Sequence, residues 1–217
     1  VMTVVVFSGV ALSFKNMMIG TITDSMLGHL QVHRRGYVGS IDNLPLHLNI
    51  TGEAVQNLRT VLDSAEAVEA YSPRIKFGAM LSNYEETTNV RLTAVSPELE
   101  VATSPALRGR LVGFNGADAD FVQPGRLVVP DNLAKGLKLT PGDEVVLVAT
   151  NQDGSVNGMS FTVSNVMRGL TGPSGRDGYM HIDDARELLR LQPTEVNEVA
   201  IRLANPGAME NDHGALR

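Results

Sequence analysis

The stretch "LAKGLKLTPGDEVVLV", residues 133–148, places a short helix, a turn and a strand in close succession. Asp131, just upstream, is positioned to cap a helix over "DNLAKGL", because a side-chain oxygen there accepts from the unpaired amides of the first turn. Pro141-Gly142 reads as a turn, with proline presetting φ and glycine supplying a conformation that other residues resist. "DEVVLVAT" then has the β-branched content of a strand. The same grammar repeats on both sides. "TTNVRLTAVS" (87–96), "GRLVVP" (125–130) and "SFTVSNV" (160–166) are short β-rich runs, and Asp153-Gly154 and Asn157-Gly158 mark further turns. Residues 86–166 therefore read as a β-rich unit.

The flanks read differently. "GHLQVHRRGY" (28–37) alternates, with His29, Gln31, His33 and Arg35 on an exposed face and Leu30 and Val32 on the other. "DNLPLHLN" (42–49) is an extended connector, since Pro45 disfavours helix at Leu44. Thr51 is the expected N-cap of a helix whose buried stripe is Ala54, Leu58, Val61, Leu62 and Ala65, with Ile50 stapled onto Val55. "AVEAYSPRIKFGAML" (67–81) follows as a strand, with Ile75, Phe77, Ala79 and Leu81 alternating against Arg74, Lys76 and Gly78. Near the other end, "YMHI" (179–182) is a strand. Asp183 caps a helix through Ala185, Leu188 and Leu189 that Pro193 stops, and "EVNEVAIRLAN" (195–205) is the last strand. Two strand–helix–strand halves thus bracket the β-rich insert, an α+β arrangement.

The chain begins "VMTVVVFSGVALSF", a run with no charge before Lys15. A secretory signal needs a basic region ahead of its apolar run, and none is present. A buried core helix and the remainder of a membrane-spanning helix both fit. Such a run covers about 21 Å as a helix, short of the roughly 30 Å of a hydrocarbon core. From Phe14 the pattern becomes one-sided, with Phe14, Met17, Met18, Ile22 and Met26 at helical spacing. That is the pattern of a helix leaving a bilayer as a stalk.

Composition narrows the function classes. The formal net charge of −6 argues against a nucleic-acid partner, which requires a basic footprint. With no cysteine, disulfides, thiolate metal sites and thiol catalysis are excluded. No zinc-protease, nucleophile-elbow, phosphate-loop or dinucleotide fingerprint is present. His29 and His33 lie about 13 Å apart on an extended strand, too far to share a metal. His181 beside Asp183 and Asp184 has no neighbouring nucleophile. Asp118 and Asp120 lack the other ligands of a calcium loop, and "TNQDGSVNGM" (150–159) reads as a hairpin tip. "RGLTGPSGRDG" (168–178) lacks the pattern of a phosphate loop and reads as a surface loop. No catalytic residue, cofactor site or metal site is expected. Polar, glycine-rich loops on a rigid scaffold serve either as solvated connectors or as partner contacts. The candidate partner or cargo contacts are therefore Gln152, Asp153, Gly154 and Asn157 at the tip, and Gly172, Pro173 and Arg176 in the loop.

The order of several motifs resembles one family. "LAKGLKLTPGDEVVLV" resembles a segment of the extracytoplasmic domain in MacB/FtsX/LolC-LolE-type ABC-transporter permeases, with Leu133, Ala134, Leu137, Leu139, Gly142, Asp143 and Val145 matching. "FTVSNVMRG" is similar to the family's next segment, with Asn165 where glycine is usual. "DGYMHIDDARELL", "VNEVAIRLANP", "LRGRLV" and "MLGHLQVHRRGY" also resemble family segments, in the family's order.

The resemblance implies that residues 1–27 are the end of a first transmembrane helix and its stalk. It implies a porter-like α/β subdomain from 28–85 and 167–205, an inserted β-rich (Sabre-like) subdomain over 86–166, and a tail over 206–217 toward the next span. It implies no enzyme activity, a cytoplasmic ABC ATPase subunit, a second permease copy, and a place at the bacterial inner membrane with the domain in the periplasm. The implied work is mechanotransmission serving lipoprotein release or efflux, with a periplasmic carrier or lipoprotein as candidate partner. One departure is that "TNQDGSVNG" stands where the lipoprotein-releasing members carry a longer carrier-docking loop. From a different class, a singly anchored extracytoplasmic ligand-binding or sensor domain also fits the residues.

Overall fold

The computed structural model describes residues 20, 22–114, 116–170 and 176–205. The apolar run at the start, most of the expected stalk, Gly172, Pro173 and the tail from 206 lie outside them. Among the described residues, eight strands form one sheet: β1 (Leu30–Val32), β2 (Val68–Ser82), β3 (Thr87–Val95), β4 (Arg126–Pro130), β5 (Glu144–Thr150), β6 (Val156–Met167), β7 (Gly178–His181) and β8 (Glu198–Leu203). Four α-helices accompany them among the described residues: α1 (Gly52–Ser64), α2 (Pro97–Thr103), α3 (Asp131–Gly136) and α4 (Ile182–Leu189). The mixed α+β class expected from the sequence is what is found.

The strand order is β1-β8-β2-β3-β7-β4-β6-β5, and β5 also pairs with β2. Six strands, β2-β3-β7-β4-β6-β5, therefore close into a ring, and β8 and β1 extend from it. The 15-residue β2 makes this possible. Its first half pairs with β8 from Val68↔Leu203 to Arg74↔Glu198, and its last residues pair with β5 from Met80↔Val148 to Ser82↔Val146. The boundary expected at 85/86 falls in the β2–β3 turn, where the Asn83 side chain accepts from the amides of Glu85 and Glu86.

Alternation decides what lies inside the ring. Ile75, Phe77, Ala79 and Leu81 of β2 meet Val90, Leu92, Leu127, Val129, Val145, Leu147, Phe161 and Val163 in the main core. Helices α1 and α4 add Val55, Leu62, Ala185, Leu188 and Leu189 to it. A second core lies on the opposite side of the sheet. There Val95, Val128, Met167 and Tyr179 pack under Val101 of α2, Leu107 and Phe121.

Several local expectations change. The stripe of α1 is Val55, Leu58 and Leu62, with Leu58 only partly buried; Val61 is 62% exposed and Ala54 is also exposed. Ile50, which precedes the helix, is tied into a bridge with Val196. Thr51 starts α1 without a side-chain cap. Residues 38–48, expected to be extended over 42–49, form 3-10 turns at Val38–Asn43 and Leu46–Leu48, with Leu44 left-handed between them (φ 45°). The cap of α4 is His181, whose ring accepts from the Asp183 amide at 3.3 Å; Asp183 instead pairs with Arg186 at 2.8 Å.

Candidate functional site

The candidate contacts separate into two places. Gln152, Asp153, Gly154 and Asn157 share the β5–β6 tip. Asp153 Oδ1 accepts from the Ser155 amide (2.9 Å) and hydroxyl (2.7 Å), and Gly154 takes φ +84°. The Ser155 hydrogen bonds hold the Asp153 carboxyl below the usual carboxylate range. Gln152 Nε2 donates to the Leu46 carbonyl (3.0 Å) and Asn157 Nδ2 to the Leu188 carbonyl (3.1 Å). The second bond satisfies a carbonyl that the end of α4 leaves unpaired. Asp153 and Gly154 are exposed, as is Gln152, beside a hollow of about 250 Å³ bounded by Asn151, Gln152, Asp153, Leu189 and Arg190.

Arg176 is exposed at the start of β7. β7 is antiparallel to β4, and β4 is parallel to β6, so Arg176 lies toward the opposite end of the sheet from the tip. Its neighbour Asp177 is buried against Thr93 and Arg91. The scattered polar residues have structural partners. His29 Nδ1 accepts from the Leu203 amide (2.9 Å), and Asp120 takes the Ala117 amide (3.1 Å) and the Gln123 side chain (2.9 Å).

The main polar feature lies where the sequence reading placed an exposed strand face. Arg74 and Lys76 do point away from the main core, but α2 covers them. Arg74 forks onto Glu100 (Nε–Oε2 2.8 Å, Nη2–Oε1 2.6 Å) and reaches Glu198 Oε1 at 2.9 Å and the Ser104 hydroxyl at 3.2 Å. Lys76 Nζ lies 2.9 Å from Glu198 Oε2. Glu100 and Glu198 are 0% exposed. Two cations thus face two carboxylates, and the cluster is locally neutral. Burial alone would raise the Glu198 pKa; the Lys76 and Arg74 charges and hydrogen bonds outweigh it and hold the carboxyl below the ordinary range. For Arg74, burial disfavours the charge, and Glu100 and Glu198 overcome that and raise its pKa. His33, placed on an exposed face from sequence, comes within 3.6 Å of Glu198 and stacks on the buried Tyr37 ring at 4.6 Å. The Asn197 side chain pairs with both the N–H (2.8 Å) and the C=O (2.7 Å) of Lys76, acting as one more strand rung. No nucleophile is aligned with a base here; the cluster fastens α2, β2 and β8 together.

A third feature is the joint at the start of the described chain. Ile22 leads into a π-helical turn, Thr23–Leu27, closed by the Gly28 amide donating to the Thr23 carbonyl (3.0 Å). Gly28 has φ +70°, and a Cβ there would sit 2.9 Å from the Ile201 carbonyl oxygen, so only glycine fits. Arg202 grips one side of the turn, binding Asp24 (2.8 Å) and Glu69 (3.1 Å). Arg110 grips the other, donating to the carbonyls of Ser25 (3.2 Å) and Arg168 (3.1 Å). Met26 of the turn is buried.

Sequence reasoning missed α2 and this joint. Ser96-Pro97-Glu98 was a readable helix start, with proline at the first position and acids in the first turn. The pairing of Arg110 and Arg202 with the turn was not readable, because their partners are up to 178 positions away.

Comparison with known proteins gives one family and one fold. A family model described as the MacB-like periplasmic core domain matches residues 1–217. The extracellular domain of the noncanonical ABC-type transporter YknZ from Gram-positive bacteria superposes with a TM-score of 0.53 at 13% identity, covering 83% of this chain and 86% of that one. The periplasmic region of MacB from Actinobacillus actinomycetemcomitans gives 0.54 at 12% identity, covering 83% and 78%. No curated protein sequence matches. Among the described residues, no helix is long and apolar enough to cross a membrane.

Proposed function

Because the chain belongs to the MacB-like periplasmic core domain family, the extracytoplasmic domains of ABC-transporter permeases, we propose that it couples ATP-driven motion at the membrane to export or release of a substrate outside it. The observation that carries this reading is the doubly gripped turn at Thr23–Leu27. A helix that enters a domain through a flexible linker cannot move it. Here the turn is held by Arg202 on β8 and by Arg110 beside α2, so a displacement of the entering helix is delivered to both. In the expected division, Arg202 belongs to the porter-like part and Arg110 to the β-rich insert over 86–166. The joint then drives both parts as one body, a rigid-body transition of the kind that uses packed, bistable contacts.

In this reading ATP is hydrolysed by a separate cytoplasmic subunit, two permease copies close together, and the outer domains act on a lipoprotein or an efflux substrate. The β5–β6 tip around Asp153 and Gly154 presents outward for cargo or a carrier, its base fastened by Gln152 and Asn157. The test is the complete permease with its ATPase in proteoliposomes. Inserting Gly-Gly-Ser between Leu27 and Gly28 leaves ATP hydrolysis and lowers substrate release. Release at the wild-type rate would sink the coupling role of the joint.

A further inference from the structure

A cleft of about 370 Å³ opens between the end of β1 and the first turn of α1, lined by Val32, His33, Arg34, Asn49, Ile50, Thr51, Ala54 and Leu58. Its volume is at the small end of ligand sites. Three independent features converge on it. The first is an orphan amide. Asn49 is 3% exposed, and neither its Nδ2 nor its Oδ1 has a hydrogen-bond partner. A buried side-chain amide without partners is destabilising, and its persistence calls for an explanation. One donor and one acceptor side by side are the complement of a peptide unit.

The second feature is the open end of α1. Thr51 makes no side-chain cap, and the amides of the first turn have no intrahelical acceptor. Thr194 packs its hydroxyl where a Gly52 side chain would stand, which fixes this end in place. The end of a 13-residue helix favours an anion. Arg34, exposed at the mouth, reaches the Asn49 carbonyl at 3.5 Å, and Arg35 follows it. This is a cationic lip on a chain of net charge −6. Glu53 is the acid of the first turn and is exposed. The third feature is the apolar floor of Val32, Ile50, Ala54 and Leu58, beside a strand that, among the described residues, has a neighbour on one edge only.

We propose that this cleft binds the carboxylate end of a short apolar peptide. The terminal carboxylate lies at the open end of α1 and Arg34. The Asn49 side chain, whose amide atoms are sealed in the unliganded structure, turns outward to pair with the last peptide unit, and an aliphatic side chain rests on Val32, Ile50, Ala54 and Leu58. Extended peptides commonly dock beside an unpaired strand edge, with termini captured by backbone amides. The site is separate from the joint and from the β5–β6 tip, and it does not depend on the transport reading.

The test is an NMR titration of the chain with N-acetyl-glycyl-leucine and with the same peptide capped as its C-terminal amide. The acid produces saturable shifts at Val32, Asn49 and Ala54 with Kd of about 1 mM or tighter, and the amide binds at least about tenfold more weakly. Asn49→Leu raises the melting temperature, because the orphan amide is gone, and weakens binding of the acid at least about tenfold. Arg34→Gln, at an exposed position, weakens it with no loss of stability. Absence of saturable shifts, equal binding of acid and amide, or wild-type affinity in Asn49→Leu each overturns the proposal. Inorganic phosphate giving the same shifts at Asn49 also overturns it, since the site would then be only an anion trap at a helix end.

Discussion

Replacing Arg74 by methionine removes the centre of the buried charge cluster. The guanidinium makes four hydrogen bonds, two to Glu100, one to Glu198 and one to Ser104. In the variant Glu198 keeps Lys76 at 2.9 Å, but Glu100 loses its Arg74 partner and has no exposure. Breaking one side of such a pair costs about 3–5 kcal/mol. For a chain of this size each kcal/mol lowers the melting temperature by about 2–4 °C, so the loss is roughly 6–20 °C. Arg74→Met combined with Glu100→Leu recovers most of it, because two apolar groups of similar volume replace two charges. The pH dependence has a defined sign. The Glu198 pKa is held below its ordinary value of 4.5, so its stabilisation is present above that pH and is lost as pH falls through the folded value. With Arg74 gone the depression shrinks, and stability falls less steeply between about pH 5 and 3. Urea melts of wild type, both single variants and the double variant, at a series of pH values, give the coupling directly. A single-variant loss under about 1 kcal/mol, or purely additive losses, would refute the account of the cluster as a mutually dependent unit.

Leu62→Ala, in the buried stripe of α1, costs about 2–5 kcal/mol, whereas Val61→Ala changes stability by less than about 0.5 kcal/mol; equal urea midpoints would contradict the helix rotation. Gly28→Ala pushes a methyl group against the Ile201 carbonyl and speeds hydrogen exchange at Thr23–Leu27 relative to β8; unchanged exchange would mean the close approach is not limiting. Replacing 152–157 by an Asn-Gly turn leaves the fold intact and costs about 1–2 kcal/mol for the lost bonds to Leu46 and Leu188. In the complete permease the same change lowers export while ATP hydrolysis continues. Untouched export would make the tip a connector, and lost hydrolysis would make it part of the drive.

Periodicity carried most of the secondary structure. The alternation of Ile75, Phe77, Ala79 and Leu81 and the turn at Pro141-Gly142 are local signals, and both appear where the residues put them. The closure of the ring was not legible, because it depends on β2 serving β8 and β5 along one edge. The charge cluster was invisible for a related reason. On a strand, Arg74 and Lys76 opposite an apolar face look solvated, and only the helix at Pro97–Thr103 turns that face into an interior. His33 is covered instead by the Tyr37 ring of the turn that follows β1, a contact that strand alternation does not reveal. Of the candidate contacts, the sequence located the tip, but the way Gln152 and Asn157 anchor it uses carbonyls 106 and 31 positions away.

The first and last described strands, β1 and β8, are neighbours with the start of one beside the end of the other: Leu30 faces Ile201 on β8, and the Ala204 amide is still bonded to the Ala67 carbonyl. The direction of pulling therefore decides the mechanical response. Drawing both chain ends the same way loads the β8–β2 rungs along the strand axis, in shear, where several bonds must break together. Drawing them apart opens β1 from β8 one rung at a time, like a zipper. A force-clamp measurement through Gly28 and Asn205, compared with one through Gly28 and Gly154, separates a zipper's low rupture force from a higher one in which β2 bears load with its neighbours.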